Sequence, residues 1–444
     1  MENRLPARAK VAVAASRLTG AVSRAAGRGS GAVIGGRVAL KVDPALLGRL
    51  TVGREVVLVS ATNGKTTTTR LISHALQARG PVASNALGAN MPAGITAAMA
   101  GDREAGFAVL EVDEKYLPEV TRQTKPKAIA LLNLSRDQLD RAAETRMMAQ
   151  RWREGLAAGA ANAGTSDTTV IANADDPLVV WAAGLADRVV WVAAGQSWKD
   201  DAWSCPQCGG VLRWPDTDWE CSTCDFRRPE PTWLLDGDSL VDPSGTRVGL
   251  TGLKLPGRAN RANATSAAAV AAVFGVDPAV AVRQMEQVAA VAGRYDTVVY
   301  RGWALRLLLA KNPAGWLETF DLLGPAGPGS DPVLLSVNAL GADGTDTSWL
   351  WDVDYTRLTG RRVLVIGQRR LDLAVRLQVA GVEFTVHDEL DSALASLPKP
   401  TQPTVAAAIT TTSGTGGASA APANSIHVIA NYTAFQQLRT KVGS

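Results

Sequence analysis

Short apolar runs alternate with longer amphipathic segments along much of the chain. Four runs between residues 54 and 185 have the length and composition of buried strands, and they lie at 56–60, 107–112, 128–134 and 170–173. The segments between these runs have helical spacing. Such alternation is typical of a parallel sheet covered by helices, because parallel strands need a crossover connection between them. The pattern therefore predicts an α/β fold.

A change of composition interrupts this pattern at about residue 196. Residues 196–248 are rich in Trp, Cys, Pro and Asp, which indicates an insertion, and a long Ala-rich helix is predicted over residues 260–274. Five further strand-like runs predict a second, smaller α/β domain, and they lie at 305–310, 333–337, 363–366, 384–386 and 427–429. The predicted division is a helical segment at 1–50, a central domain at 51–294 with its insertion at 200–230, and a C-terminal domain at 295–444.

The N-terminal segment has the spacing of one amphipathic helix over residues 7–26. Such a helix packs on the protein or lies on a membrane surface, and we favour packing on the protein. No apolar run in this segment reaches the roughly 18 residues that cross a bilayer, and Arg17, Arg24 and Arg28 interrupt any signal-peptide core. We therefore expect a cytoplasmic protein. The 46 basic and 42 acidic residues are spread along the chain, which does not indicate a nucleic-acid partner.

A phosphate-binding loop is predicted between residues 56 and 67. An apolar strand is followed by a short turn, and Gly64, Lys65 and Thr66 then begin a helix. Backbone N–H groups at a helix start bind anions, Lys65 is able to reach the outer phosphates, and the Thr66 hydroxyl is able to ligate magnesium. Val59 stands where the full Walker A pattern has glycine. Most chance Gly-Lys-Thr triplets are plain loops, but the flanking strand and helix favour phosphate binding.

The turn Thr-Asn-Gly-Lys-Thr at residues 62–66 resembles the phosphate loop of the Mur ligase family. Further motifs of that family follow in the same order, at residues 111–114, 133–140, 173–177, 256–264 and 293–296. The resemblance implies a magnesium ligand at Glu111, with Glu114 as second choice, beside Thr66. It also implies a set of nucleotide-binding residues: Thr62, Asn63, Gly64, Lys65, Thr66, Thr67, Asn133, Asp137, Asn173, Asp175, Asn260, Asn263 and Arg294.

Three departures from the family pattern narrow the expected function. Family members that act on UDP-linked precursors carry a nucleotide-sugar domain before the phosphate loop, whereas only about sixty residues precede Thr62 here, so we expect no UDP recognition. Gln138 stands where the family usually has His. Many relatives have a carbamylated Lys after that motif, but no Lys lies between Lys127 and Lys199, so this lysine is missing or replaced.

All four cysteines of the sequence fall within twenty residues as two Cys-x-x-Cys pairs: Cys205, Cys208, Cys221 and Cys224. This spacing brings four thiolates to one Zn²⁺ with tetrahedral geometry. Disulfides are the alternative, which a reducing cytoplasm disfavours. Four protein ligands leave no open coordination position, so we predict a structural zinc rather than a catalytic one.

Lys311 and two aspartates are the candidate catalytic residues of the C-terminal domain. Lys311 stands where Mur ligases have D-Y-A-H-N-P, and the resemblance implies contact with phosphate or an acyl intermediate. A plain strand-to-helix turn beginning near Pro313 is an alternative that is compatible with this role. Residues 346–354 combine two Trp with closely spaced Asp, which resembles a signature of the Mur ligase-like branch that amidates its substrate. That branch also carries a four-cysteine insertion.

The resemblance to this branch implies ATP-dependent amidation of the α-carboxylate of D-glutamate in the lipid II stem peptide, through an acyl phosphate. It further implies ATP, Mg²⁺ and a structural Zn²⁺, transient contact with the inner membrane face, and a GatD-like glutamine amidotransferase partner. Asp352 is expected to complete the partner's catalytic triad, with Asp354 as the alternative. Two other functions stay open: an amino-acid ligase related to folylpolyglutamate synthetases, and a nucleotide-regulated scaffold without enzymatic activity.

Overall fold

The computed structural model describes residues 5–25, 32–85, 89–136, 145–161, 167–196, 198–288, 295–327, 329–341, 343–398 and 424–443. Contacts between Cα atoms divide the chain into two compact units. Unit 1 comprises Met1–Ser135 and Ala143–Ala289, and unit 2 comprises Arg136–Ala142 and Ala290–Ser444. Each unit is an α/β structure built around its own sheet.

Unit 1 alternates strands and helices as the apolar pattern predicts. Its strands are β1 (Glu55–Ser60), β2 (Val82–Ser84), β3 (Phe107–Glu111), β4 (Ala128–Leu131), β5 (Thr169–Asn173), β6 (Val189–Ala193), β7 (Leu212–Arg213), β8 (Glu220–Cys221), β9 (Trp233–Asp236), β10 (Ser239–Val241) and β11 (Arg247–Gly249). Its helices are α1 (Ala7–Ala25), α2 (Ala32–Val42), α3 (Leu46–Thr51), α4 (Lys65–Leu76), α5 (Pro92–Gly101), α6 (Leu117–Thr124), α7 (Thr145–Ala161), α8 (Pro177–Ala183), α9 (Arg258–Val273) and α10 (Pro278–Met285).

Nine strands of unit 1 form one sheet in the order β11-β10-β9-β6-β5-β4-β1-β3-β2. The pairings from β2 to β9 are parallel, and β9, β10 and β11 are antiparallel to one another. The central strands carry fully buried apolar residues on both faces, with Leu58, Leu110 and Ile129 on one face and Val57 and Val109 on the other. Because parallel strands end at the same edge, the segments after β1, β3, β4 and β5 lie together.

The N-terminal helices belong to the core of unit 1. Ala9, Ala12 and Val13 of α1 are buried and contribute to the same apolar cluster as the central strands. Helix α2 approaches α5 so closely that a Cβ at Gly36 would lie 1.8 Å from the Ala93 carbonyl oxygen. None of the helices in the described residues is both long and apolar enough to cross a bilayer.

Unit 2 contains a six-stranded sheet in the order β12-β13-β17-β14-β15-β16, parallel except for β12. Its strands are β12 (Tyr295–Tyr300), β13 (Trp303–Leu309), β14 (Val333–Ser336), β15 (Val363–Ile366), β16 (Phe384–Val386) and β17 (Ser425–Ala430). Its helices are α11 (Pro313–Phe320), α12 (Arg370–Val379), α13 (Leu390–Ala395) and α14 (Tyr432–Gly443). The apolar core includes Leu305, Leu364 and Ile426.

Candidate functional site

The phosphate loop joins β1 to α4. Gly64 precedes the helix with a φ of 82°, a backbone conformation that favours glycine. A Cβ at Gly64 would lie 2.9 Å from Oδ1 of Asn263, so α9 presses against the loop at this point. The first turn of α4 has no side-chain cap, and its N–H groups are therefore able to bind an anion.

Lys65 is held above the loop by three oxygen atoms. Its ammonium group donates to the carbonyl oxygens of Ala61 and Thr62, the latter at 3.3 Å, and to Oε2 of Glu114 at 3.2 Å. The Lys65 side chain is buried despite its charge. A bound phosphate would therefore compete with Glu114 for this ammonium group.

Thr66 and Glu111 form the candidate magnesium position. The Thr66 hydroxyl donates to Oε2 of Glu111 at 2.8 Å, and Nδ2 of Asn90 lies 3.4 Å from Oε1 of the same carboxylate. Asn85 exchanges two hydrogen bonds of 2.8 Å with the Glu111 backbone, which orients the buried residue. Hydroxyl and carboxylate oxygens are the ligands that Mg²⁺ prefers, so these residues fit the ion. No motif in the sequence marked Asn85 or Asn90.

Asn133 clamps the phosphate loop through its side-chain amide. Its Oδ1 accepts from the Asn63 N–H at 2.9 Å, and its Nδ2 donates to the Asn63 carbonyl oxygen at 3.0 Å. The Thr62 hydroxyl donates to the Ser135 carbonyl oxygen and accepts from the Ser135 N–H, both at 3.0 Å. Asn133 and Thr62 thus fix the conformation of the loop, in which Asn63 is partly exposed whereas Lys65, Thr66 and Thr67 are buried.

The segment after β5 is held by a dense set of hydrogen bonds. Asn173 donates to the Leu132 carbonyl oxygen at 2.9 Å and accepts from the Asp175 N–H at 2.9 Å. Asp176 caps α8 and accepts from the Leu134 N–H at 2.8 Å. Burial raises the pKa of Asp176 to about 6, although the bonds from backbone N–H groups oppose this shift.

Asp175 connects three segments of unit 1. Its Oδ2 accepts from the N–H groups of Ala194 (2.8 Å) and Gly195 (2.6 Å), and its Oδ1 accepts from Nε of Arg228 at 2.8 Å. Asn260, at the start of α9, donates to the Pro256 carbonyl oxygen at 2.6 Å. The predicted nucleotide residues Asp137 and Arg294 lie outside the described residues.

The four cysteines meet at one point, as their spacing predicts. All four Sγ atoms lie within 4.8 Å of one another, with 3.8 Å between Cys205 and Cys224 and 3.5 Å between Cys208 and Cys221. A tetrahedron with metal–sulfur bonds of about 2.3 Å has sulfur atoms about 3.8 Å apart, whereas a disulfide needs about 2.05 Å. The cluster therefore fits a tetrahedral metal ion. We call residues 203–228, which include β7 and β8, the four-cysteine insert.

Lys311 lies in unit 2 at the carboxyl end of β13. Its ammonium group is 5.6 Å from the ring centroid of Tyr432, which follows β17. Burial raises the pKa of Asp343, and this effect outweighs the lowering by its hydrogen bonds from Thr433 and by the Lys311 charge. Asn312 caps α11 by accepting from the Gly315 N–H at 2.9 Å, so the predicted strand-to-helix turn is present beside the lysine.

A short 3₁₀ turn, Ser348–Asp352, presents the candidate triad acid. Trp349 anchors the turn, because it is buried with its ring centroid 6.0 Å from that of Trp316. Asp352 is about one-third exposed and pairs with Nη1 of Arg136 at 3.2 Å. Asp354 instead caps the next turn by accepting from the Thr356 N–H at 3.1 Å. Both carboxylates reach solvent, and the Asp354 side chain (54% exposed) does so more than that of Asp352 (33%).

A second feature of this region is an apolar stripe on α12. Leu371, Val375 and Val379 follow one another at four-residue intervals, share one helix face, and are each at least 50% exposed. The guanidinium of Arg376, on the same helix, lies 4.2 Å from the ring centroid of the exposed Trp351 and donates to the Leu350 carbonyl oxygen at 3.1 Å. We call these three aliphatic residues and Trp351 the α12 face.

Comparison with known proteins reveals two family matches. Residues 59–204 match the Mur ligase middle domain, and residues 309–435 match the MurT ligase C-terminal domain. The MurT subunit of lipid II isoglutaminyl synthase (glutamine-hydrolyzing) from Staphylococcus aureus strain COL is 30% identical over 402 residues, covering 86% of this chain and 90% of the relative. The Streptococcus pneumoniae subunit of the same name is 30% identical over 382 residues, covering 80% and 83%.

Solved structures support the fold assignment. A pseudomurein peptide ligase type C from Methanothermus fervidus superposes with a TM-score of 0.62 at 18% identity, covering 90% of this chain and 80% of that one. MurF from Thermotoga maritima, solved in complex with ADP, gives 0.59 at 14% identity, covering 91% and 82%. The predicted fold class, a Mur ligase-type α/β domain followed by a smaller α/β domain, is confirmed.

Proposed function

The chain belongs to the family of MurT subunits of glutamine-hydrolysing lipid II isoglutaminyl synthases, and from this premise we propose that it amidates the α-carboxylate of D-glutamate in the lipid II stem peptide. The observation that carries the proposal is the phosphate loop with Lys65 above it and the Thr66–Glu111 pair beside it. This arrangement suits phosphoryl transfer from ATP, since it places a cation and a magnesium position at one helix start.

The reaction proceeds in two steps. The substrate carboxylate attacks the γ-phosphorus of ATP, which forms an acyl phosphate and releases ADP. Ammonia then attacks the acyl carbon and phosphate leaves, giving the amide. Lys65 and the N–H groups at the start of α4 bind the phosphates, and Thr66 and Glu111 would hold Mg²⁺, which when bound would supply positive charge to the transferred group. Lys311 contributes a cation for the acyl phosphate or the departing phosphate.

Ammonia comes from glutamine on a separate, GatD-like chain. Hydrolysis of glutamine to glutamate and ammonia uses a Cys nucleophile with a His base. The four cysteines of this sequence lie together in the four-cysteine insert, where their geometry suits a metal. Asp352, which is partly exposed in its Trp-anchored turn, orients the partner's histidine and gives up its ion pair with Arg136 to do so, with Asp354 as the alternative acid. The α12 face is the docking surface, since it is apolar, exposed and adjacent to that turn.

A reconstituted assay tests the proposal. The chain and a GatD-like glutaminase are incubated with lipid II, ATP, Mg²⁺ and glutamine, and lipid II is analysed by mass spectrometry. We expect conversion of one carboxylate to an amide, with ADP and phosphate formed in equal amounts. Addition of an amino acid to lipid II would instead establish a peptide ligase, and nucleotide binding without turnover would establish a scaffold.

A further inference from the structure

The four-cysteine insert contacts the segment that follows β5. Trp219 is almost fully buried, and its indole N–H donates to the Ala174 carbonyl oxygen at 3.0 Å. Arg228 donates from Nε to Oδ1 of Asp175 at 2.8 Å, and both side chains of this ion pair are largely buried. The insert thus makes directed polar contacts to two consecutive residues of the nucleotide-site motif at 173–176.

Apolar packing joins the same two regions. Val180 of α8, the helix that begins after Asp176, shares an apolar cluster with Cys205, Trp219 and Cys221. Cys205 and Cys221 are both buried. Trp219 also packs on Phe226, with 5.0 Å between the ring centroids. The metal cluster and the segment after β5 therefore rest on one continuous core.

Asp175 passes these contacts on to α9. Its carboxylate holds the N–H groups of Ala194 and Gly195, and the carbonyl oxygens of the same two residues accept from Nη1 of Arg258, the latter at 2.8 Å. Arg258 is the first residue of α9, and α9 carries Asn263 against Gly64. A continuous series of contacts thus runs from Arg228 to the phosphate loop.

We propose that the four-cysteine insert braces the nucleotide site, with Arg228 and Trp219 as positioning residues that act through Asp175 and Arg258 on α9. An insert without a role in the site would not be expected to supply Arg228 as the partner of the buried Asp175 carboxylate. Loss of Arg228 leaves the Asp175 charge buried without its partner, which frees the turn at residues 194–195 and the start of α9. The inference rests on the proposed nucleotide site, and it assigns the insert a task within that site.

Three variants of the full chain test this brace. Arg228→Met removes the charge and largely keeps the length of the side chain, and Arg228→Lys restores a cation for Asp175. Arg227→Met changes an exposed neighbour whose guanidinium donates to the Asp225 carbonyl oxygen at 3.4 Å. The measurements are the Kd for ADP by calorimetry, KM for ATP against kcat, zinc per chain, and the melting temperature.

We expect Arg228→Met to raise the Kd for ADP and the KM for ATP about tenfold, with zinc content and glutaminase activity of the complex unchanged. Arg228→Lys should recover most of the affinity, and Arg227→Met should match the parent chain. An Arg228→Met protein that keeps zinc and binds ADP normally overturns the brace.

A second variant tests the proposal if Arg228→Met does not fold. Trp219→Phe keeps an aromatic ring in the core and removes only the N–H that bonds Ala174, so a folded Trp219→Phe chain with unchanged Kd for ADP also overturns the proposal. If the parent chain binds ADP with the expected variant effects but does not amidate lipid II, the proposed function fails and the brace stands. If the parent chain binds no nucleotide, both fail.

Discussion

Lys65 shares its ammonium group between the loop and a carboxylate. Because Glu114 lies 3.2 Å from Nζ and the side chain is buried, the lysine is already fixed close to the position of an incoming phosphate. The conformational entropy lost on nucleotide binding is therefore small for this residue. In the same arrangement Glu114 competes with an incoming phosphate for the Lys65 ammonium group, whereas Glu111 accepts from the Thr66 hydroxyl.

Replacement of this lysine tests the phosphate loop. We expect Lys65→Ala to lower the amidation rate by roughly 10²–10³-fold, since one preorganised cation on a transferring phosphoryl group contributes on this scale. Melting temperature and binding of the glutaminase should stay close to those of the parent chain. Amidation at the parental rate would remove the loop from the mechanism.

A pair of glutamate variants tests the magnesium position. Glu111→Gln replaces the carboxylate that contacts Thr66, whereas Glu114→Gln replaces the one that pairs with Lys65. We expect Glu111→Gln to shift the Mg²⁺ concentration for half-maximal ATP hydrolysis upward by about tenfold or more, as losses around metal sites commonly do. Glu114→Gln should leave this concentration nearly unchanged. The opposite order would assign the metal to Glu114.

Features that depend on neighbouring residues of the chain can be predicted from the sequence, whereas contacts between distant segments cannot. The phosphate loop and the cysteine cluster were predictable, because each depends on residues close together in the chain. Asn133 stays a predicted nucleotide-binding residue, and in the structure its amide bonds to the Asn63 backbone of the phosphate loop. Arg228 was not predictable, since its partner Asp175 lies 53 residues away and no spacing rule relates the two.

The exposed apolar residues of α12 predict that a partner protein covers this helix. An apolar stripe of three aliphatic side chains on a surface helix is costly to hydrate unless another chain covers it. We expect Leu371→Glu combined with Val375→Glu to weaken binding of the glutaminase at least about tenfold in a titration. Val299→Glu, at a residue of unit 2 that is also exposed, serves as the control. Equal affinities for both variants would place the partner elsewhere.

The whole molecule divides its proposed tasks between two units. Unit 1 carries the phosphate loop and the cysteine cluster, and unit 2 carries Lys311, the Asp352 turn and the α12 face. Because Asp352 and the phosphate loop belong to different units, we expect ammonia production and ammonia use to be separable by mutation, with Lys311 of unit 2 serving ammonia use.

Asp352→Asn tests this separation. The substitution should lower glutamine hydrolysis by about 10³–10⁴-fold, as loss of a triad acid does when geometry is kept, because the histidine loses its orienting charge. Amidation with concentrated ammonium salt should continue, since the residues of unit 1 are unchanged. Asp354→Asn is the matched control. If Asp354→Asn alone abolishes glutaminase activity, Asp354 and not Asp352 is the triad acid. Normal glutamine hydrolysis by both variants would contradict a triad shared between the two chains.

The place of the four-cysteine insert in the chain, between β6 and β9 of the large sheet, also has a kinetic consequence. Strand β9 pairs with β6 through Val192 opposite Trp233 and Ala193 opposite Leu234, beside one bond from the Thr232 N–H to the Trp191 carbonyl oxygen, and β10 and β11 follow at the edge. Closing a loop of about forty residues for so short a pairing is slow and entropically costly, and a metal that ties the loop together lowers that cost. We therefore expect metal-stripped chain to refold several-fold faster when Zn²⁺ is added, as followed by tryptophan fluorescence, whereas a rate independent of zinc would contradict this order of assembly. Completion of the sheet, and with it the supply of folded enzyme, would then follow the zinc available while the chain is being made.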